Sequence, residues 1–417
     1  MDFASRESIE HWVECTRQEG LHHPKRLCTE LDDVLNSRFS RQQQSSSRSS
    51  PMIAMAQFQS DKSSLALSDC SGSMIFSNRP KLVPTAPSSR SRASSPTRKQ
   101  IASLENAVPP VRIRPAGEVN TFQPAKDLHN YIHREFGLAV IPSCLKTYLN
   151  QADPARFSRI NSYSFDDSFT DLTPEKEELW HTVDKIYKEA KSCHVRQKDE
   201  NAWMLVAWDV LRLGMKEARA LKLEINSVQS QTIDPRFLPK FDSTPSIKKA
   251  DLAFAFTPDN EEVDSLYQDF RTAYPMLDLS HLTDAYTGRL LVNYALEVKV
   301  SDGHKDEACL QLAIFHAAVL QKLKSFLGLT TESVDLSQIP PMMGWTMVGQ
   351  EWRCFITSFA TDGSIVTEGP LDEINVSTTS HVAIFRLIDH IKRACERLEQ
   401  SLWPLLKPLI RELIDAS

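Results

Sequence analysis

The stretch LLVNYALEVKV, residues 290–300, decides the reading of this chain. It is a short apolar run with both faces greasy, the pattern of a strand buried inside a sheet. Alternate side chains of a strand share a face, so Glu297 and Lys299 point one way and Leu296, Val298 and Val300 the other. A carboxylate and an amine on such a strand are costly to bury unless they pair or hold an ion. Taken alone, the E-x-K triplet is an ordinary ion pair on an edge strand. Its neighbours along the chain change that reading.

Upstream, ADLAFAF (250–256) is a second apolar strand. It opens on Asp251, and the small Ala253 shares that face, leaving room for an ion and a phosphate. The two strands are separated by a long insert, 257–289, with a helix expected around Val263–Phe270. Downstream, SDGHKDE makes a turn and a helix start. A long helix then runs to about Leu327, burying Leu312, Phe315, Val319, Leu323 and Phe326 and carrying Gln311. Before the strands, residues 174–192 form a helix with Leu179, Val183, Ile186 and Tyr187 on one face; Thr173-Pro174 supplies its N-cap and N1 proline. A second helix, about 199–221, has the stripe Trp203, Val206, Ala207, Val210, Leu211, Met215 and carries Glu200. GWTMVGQEWRCFITSFA (344–360) is a hairpin turning at Gly349-Gln350. A long helix from about Ser380 to Leu402 and a shorter tail helix close the chain. This order predicts an α/β domain with a mixed sheet flanked by helices. Singly, Asp251, Gln311 and Glu200 have plain readings: a strand-end cap, a helix-surface amide and a helix-surface acid.

The 417 residues suffice for one large domain or two ordinary ones. Residues 1–116 hold 16 basic and 11 acidic side chains, a balance of +5, so the remainder carries −11 of the net −6. That acidity argues against charge-driven, non-specific nucleic-acid binding by the folded part, unless bound divalent cations offset it. The eight cysteines form no CxxC pair. No secretory signal or apolar stretch of membrane-span length is visible, so an intracellular protein with reduced thiols and no membrane is expected. Cys15, His22, His23 and Cys28 have an unusual spacing for zinc and are read as ordinary surface residues.

The first forty residues have some helical spacing, in Ile9, Trp12, Val13, Leu31, Val34 and Leu35, and are read as a weakly ordered terminus. From Ser40 to about Ala116 the chain is rich in Ser, Pro and Arg, with too little apolar surface to offset ordering entropy. Residues 1–116 are therefore expected to be a mostly disordered arm, with the folded domain in 117–417. Ser50-Pro51 and Ser95-Pro96 look like phosphorylation sites. Arg90, Arg92, Arg98 and Lys99 suit a solvated linker, or a short nuclear-localisation or nucleic-acid patch.

A helix with Glu, a strand with Asp, a strand with E-x-K and a helix with Gln, in that order, resemble the PD-(D/E)XK nuclease superfamily. The likeness is greatest to its fungal nuclease-like domain group. ENAWMLVAWDVL resembles that group's helix motif, KKADLAFAF its Asp strand, ALEVK its catalytic strand and DEACLQLAIFHAAVLQKL its Gln helix. It spans roughly residues 120–410. The group usually has Asn after the helix Trp and a Val-His pair soon after; here stand Met204 and Val206-Ala207. The insert 257–289 is long for the superfamily.

The resemblance implies a restriction-endonuclease-like fold and Mg²⁺ (or Mn²⁺) as cofactor. Asp251 and Glu297 would be oxygen ligands, with the Val298 carbonyl adding a further one. Glu200 would hold the metal through water or bind a second ion. It implies that Lys299 orients a water or stabilises transition-state charge, and that Gln311 positions Lys299 or a phosphate oxygen. The expected reaction is hydrolysis of nucleic-acid phosphodiesters. The alternative is a nuclease-fold binding or scaffold protein without turnover.

Overall fold

The computed structural model describes residues 96–117, 122–240, 249–330 and 334–416. The first elements among the described residues are helix α1 (Pro96–Glu105) and strand β1 (Val111–Arg114), followed by α2 (Gln123–His133). Two long helices come next, α3 (Pro174–Val195) and α4 (Glu200–Ala218). Thr173 caps α3 by accepting from Lys176 N, with Pro174 in the first turn, and Asp199 caps α4 by accepting from Ala202 N. The chain then makes β2 (Leu223–Ser227), β3 (Leu252–Phe256), α5 (Glu261–Ala273), β4 (Val292–Lys299) and α6 (Lys305–Thr330). The hairpin β5 (Met342–Val348) and β6 (Glu351–Phe359), β7 (Ile365–Glu368) and β8 (Val376–Ser377) precede α7 (His381–Arg397) and α8 (Trp403–Asp415). A π-helical turn at Leu398–Leu402 joins the last two helices.

One mixed sheet of eight strands runs β1-β7-β6-β5-β4-β3-β2, with β8 added beside β6. β4 and β5 are parallel, as are β1 and β7, and the other neighbours are antiparallel. Parallel neighbours need a crossover, and α6 supplies it between β4 and β5. This is the α/β arrangement expected from the order of apolar periods.

The sheet's two faces are covered by different helices, and this places the polar residues. Trp345 on β5 donates its indole N–H to His390 Nε2 of α7 at 2.9 Å, so this side chain looks toward α7, which packs with α3 and α4. The adjacent Gly344 looks toward α6: a Cβ there would run into the His316 ring. Parallel register pairs Gly344 with Ala295 and Thr346 with Glu297. Glu297 therefore lies on the face that α6 covers.

Two expectations need correcting. Residues 96–116 are not irregular: α1 buries Leu104, and β1 pairs residue for residue with β7, from Val111↔Ile365 to Arg114↔Glu368. A composition window dominated by Ser and Arg hid four strand residues whose hydrogen bonds are supplied from the far end of the chain. Order thus begins by Pro96, not near residue 117; Arg98 and Lys99 of the basic cluster sit on α1, while Arg90, Arg92 and the zinc-like set lie outside the described residues. The second correction concerns α6. Lys305–Leu329 is long and apolar enough to cross a membrane by length and composition, but 72% of that window is buried inside the fold, as a core helix is.

Candidate active site

Asp251 stands immediately before β3 and Glu297 lies near the end of β4. Their antiparallel register pairs Leu252 with Leu296, so one step further along Asp251 faces Glu297. The Asp251 N–H bonds to Leu296 O at 3.1 Å, continuing the ladder to this position. Directly opposed residues bring their Cβ atoms to about 5 Å, so the two carboxylates share one cleft. Both residues are buried. Asp251 is held from two sides: the Val298 N–H donates to Oδ2 at 2.7 Å and Gln229 Nε2 donates to Oδ1 at 2.9 Å. Gln229 belongs to none of the sequence motifs. It lies in the turn after β2, and only the β2–β3 pairing brings it to Asp251.

Lys299 closes the cleft from the end of β4. Its Nζ is 2.6 Å from Glu297 Oε1 and 3.6 Å from Glu200 Oε2. Glu200 is the first residue of α4, so the start of that helix delivers its carboxylate to the strand end. The backbone carbonyl of Lys299 is fixed by the Gly349 N–H at 2.9 Å. That approach requires glycine: φ at Gly349 is +56°, and a Cβ would lie 2.6 Å from Ser301 Oγ. Gln311 sits on the second turn of α6, buried and on the helix that covers the Glu297 face.

The electrostatics set Glu297 apart. Its Lys299 contact is short but poorly directed: both Glu297 carboxylate oxygens, and Gln311 Oε1, are buried without a well-formed hydrogen bond. Burial first, then repulsion from Asp251, pushes the Glu297 pKa well above the carboxylate range, against the pull of Lys299. Burial also raises Asp251, opposed by the Val298 and Gln229 donors, and raises Glu200, opposed by Lys299. For Lys299, burial disfavours the charge, but Glu297, Glu200 and Asp251 outweigh it and the pKa rises. The cluster is acid-rich, with Glu307 on the first turn of α6 adding to the field at Glu200.

Two opposed buried carboxylates, one of them without a well-formed hydrogen bond, form an all-oxygen donor set, which suits Mg²⁺ or Mn²⁺. Among the described residues no three His, Cys, Asp or Glu side chains gather tightly enough to cage a metal by themselves. Glu200, expected to join Asp251 and Glu297, reaches the cleft on the Lys299 side. The four expected residues Glu200, Asp251, Glu297 and Lys299 thus do meet, with Asp251 and Glu297 as the opposed pair and Lys299 bridging to Glu200. Gln311 is on the expected face.

The family model of the PD-(D/E)XK nuclease superfamily matches residues 150–403, which include every one of these side chains. The chain belongs to the PD-(D/E)XK nuclease superfamily. PD-(D/E)XK nucleases generally use divalent metal ions. No curated protein and no solved structure matches the chain.

Proposed function

We propose that this protein is a divalent-metal-dependent nuclease that hydrolyses phosphodiester bonds of nucleic acid. The observation that carries the reading is the opposed pair Asp251 and Glu297, the latter with both oxygens lacking a well-formed hydrogen bond, with Lys299 in the same cleft. Asp251 and Glu297 would hold the metal, with the Val298 carbonyl adding an oxygen and Glu200 acting through water. The bound ion would polarise the scissile phosphate and lower the pKa of water. Released from Glu297, the Lys299 ammonium donates to the attacking water or to the phosphate oxygen that gains charge. Gln311 orients Lys299 or a phosphate oxygen through its amide. Water adds its hydroxyl to phosphorus, the ester P–O bond breaks and the leaving oxygen takes the proton. The free thiols of Cys144, Cys193, Cys309, Cys354 and Cys395 support an intracellular setting.

A second reading, a nuclease-fold binding protein without turnover, draws on the acid-rich surroundings of Lys299. Glu200 and Glu307 repel a polyanion when no cation is bound. The test is cleavage of labelled single- and double-stranded DNA and RNA, with Mg²⁺, with Mn²⁺ and with chelator, paired with Mn²⁺ titration by calorimetry. Metal-dependent cutting of any strand type is expected. Absence of both metal binding and cutting gives the second reading.

A further inference from the structure

The insert that separates the two carboxylate strands builds a cleft of its own. Its volume is about 340 Å³, and every residue lining it comes from positions 258–290. β3 leaves the metal-site end at Asp251 and reaches the cleft after Phe256, five residues on, or about 17 Å at strand rise. The cleft is therefore at the other end of the strands from Glu297 and Lys299.

We propose that this cleft binds a nucleotide phosphate, either as a free mononucleotide or as the end of a strand. One wall is a face of α5, where Tyr267 and Arg271 stand four residues apart. The other is the loop that carries Tyr286 and Arg289. Among the described residues, neither Arg271 nor Arg289 lies within ion-pair distance of a carboxylate. Two guanidinium groups without a carboxylate partner among the described residues thus stand on one small cleft. They suit a phosphate, which takes paired N–H donors in a planar fork. Asp264 also faces the cleft, its Oδ1 accepting the Gln268 amide at 3.3 Å, and Glu224 and Asp259 act on Tyr286 from behind that wall, so the two guanidinium groups are the cleft's phosphate donors among neighbouring carboxylates.

The walls are fixed in advance, which lowers the ordering cost of binding. Asp284 Oδ1 accepts the Tyr286 and Thr287 N–H groups at 3.0 and 3.1 Å, and the Gly288 N–H closes the turn on Asp284 O at 2.9 Å. The Tyr286 hydroxyl is anchored on Glu224, at 3.1 and 3.0 Å from its two oxygens, while half of the residue stays exposed. That leaves a ring face for a base to stack on. On the α5 wall the Tyr267 hydroxyl donates to Phe256 O at 2.8 Å and accepts the Leu291 N–H at 2.9 Å. The volume is at the low end of small-molecule sites, roughly 300–1,000 Å³, and fits one nucleotide rather than a duplex.

The inference does not depend on turnover at Glu297, and its test is run in chelator. The full chain is titrated by calorimetry with AMP, with adenosine, and with a five-residue thymidine strand bearing either a 5′-phosphate or a 5′-hydroxyl. Saturable binding of AMP or of the 5′-phosphorylated strand is expected, with the phosphate-free partner at least tenfold weaker; which of the two binds tells the source. The exposed pair Arg271→Ala/Arg289→Ala should lose at least tenfold, with an unchanged melting temperature. Three results would overturn the proposal: no saturable binding of either phosphate ligand, equal binding by the double variant, or binding that appears only when Mg²⁺ is added.

Discussion

Two glutamates in this domain have opposite surroundings. Glu262, on the first turn of α5, collects donors: Lys407 Nζ at 2.7 Å, Trp403 Nε1 at 3.2 Å and Lys222 Nζ at 2.9 Å. Its pKa falls to about 2, because hydrogen bonds from Lys407, Lys222 and Trp403 outweigh the small effect of burial. It ties α5 to α8 and its charge is satisfied as it stands. Glu297 is almost wholly buried, faces another carboxylate, and has both oxygens without a well-directed donor. A fold built only for stability would not keep such a group, since replacing a buried charge by a neutral side chain is commonly neutral or stabilising. The difference separates a charge that holds the domain together from one kept at a cost to it, and the second kind marks a site.

The largest expected effect is on turnover. Asp251→Asn and Glu297→Gln should each abolish metal-dependent cleavage and Mn²⁺ binding, because each removes an anionic oxygen donor. Lys299→Ala should keep Mn²⁺ binding and lose about a hundred- to thousand-fold in rate, the typical weight of one transition-state donor. Calorimetry and cleavage of a labelled oligonucleotide, measured on the same preparations, separate the two outcomes. A Lys299→Ala protein that cuts like the wild type would remove Lys299 from the chemistry.

Gln229→Ala comes next. Its amide is the side-chain donor to Asp251, so its loss leaves that carboxylate held only by the Val298 N–H. Partners that orient a metal ligand are typically worth about 10- to 100-fold in affinity. Mn²⁺ affinity should fall by that order, with kcat at saturating Mn²⁺ closer to wild type. Unchanged affinity would make Gln229 a bystander.

Much of the site was visible in the sequence because it follows strand and helix periods. Glu297 and Lys299 share a face by the period of two, and Gln311 belongs to a long apolar helix that is buried without a break from Ala308 to Leu320. Asp251 opens an apolar run, but its antiparallel pairing with the Glu297 strand appears only in the fold. Gln229 was not legible: it lies in a polar turn, and its role exists only once Ser227 pairs with Leu252. The same holds for β1 and β7, four residues each, which find each other across some 250 positions of sequence. The Lys299–Glu200 contact was also hidden, since the approach of the α4 start to the β4 end is a matter of packing rather than of pattern.

Glu297→Gln should also change stability, in the sense opposite to its effect on activity. Its folded pKa is raised, so the native state holds a proton more firmly than the unfolded chain, which releases it above its ordinary value of about 4.5. Its contribution to stability is therefore most favourable in acid and is lost as the pH rises. In chelator the glutamine variant should melt a few degrees higher than wild type at pH 8, with a smaller gap at pH 5. Equal melting temperatures at both values would mean that Lys299 neutralises Glu297 fully.

The smallest effect belongs to Glu262→Gln, and it has the reverse pH sign. Here the folded pKa is depressed to about 2, so the stabilisation is fully present above the unfolded value and is lost as the pH falls from about 4.5 toward 2. The side chain is 38% exposed, so solvent screens its pairs with Lys222 and Lys407, whose ammonium groups are themselves partly open. The stabilisation should be below about 1 kcal/mol, or roughly two degrees in melting temperature for a domain of this size. At pH 7 in low salt the variant should melt slightly below wild type, and the gap should shrink in high salt and close on acidification. Mn²⁺ affinity and cleavage should not move, because nothing in the Glu262 cluster touches Asp251, Glu297 or Lys299. A Glu262→Gln protein that keeps its melting temperature but loses metal affinity would break the division between the two glutamates, and with it the reason for reading burial without a well-directed donor as the mark of the site.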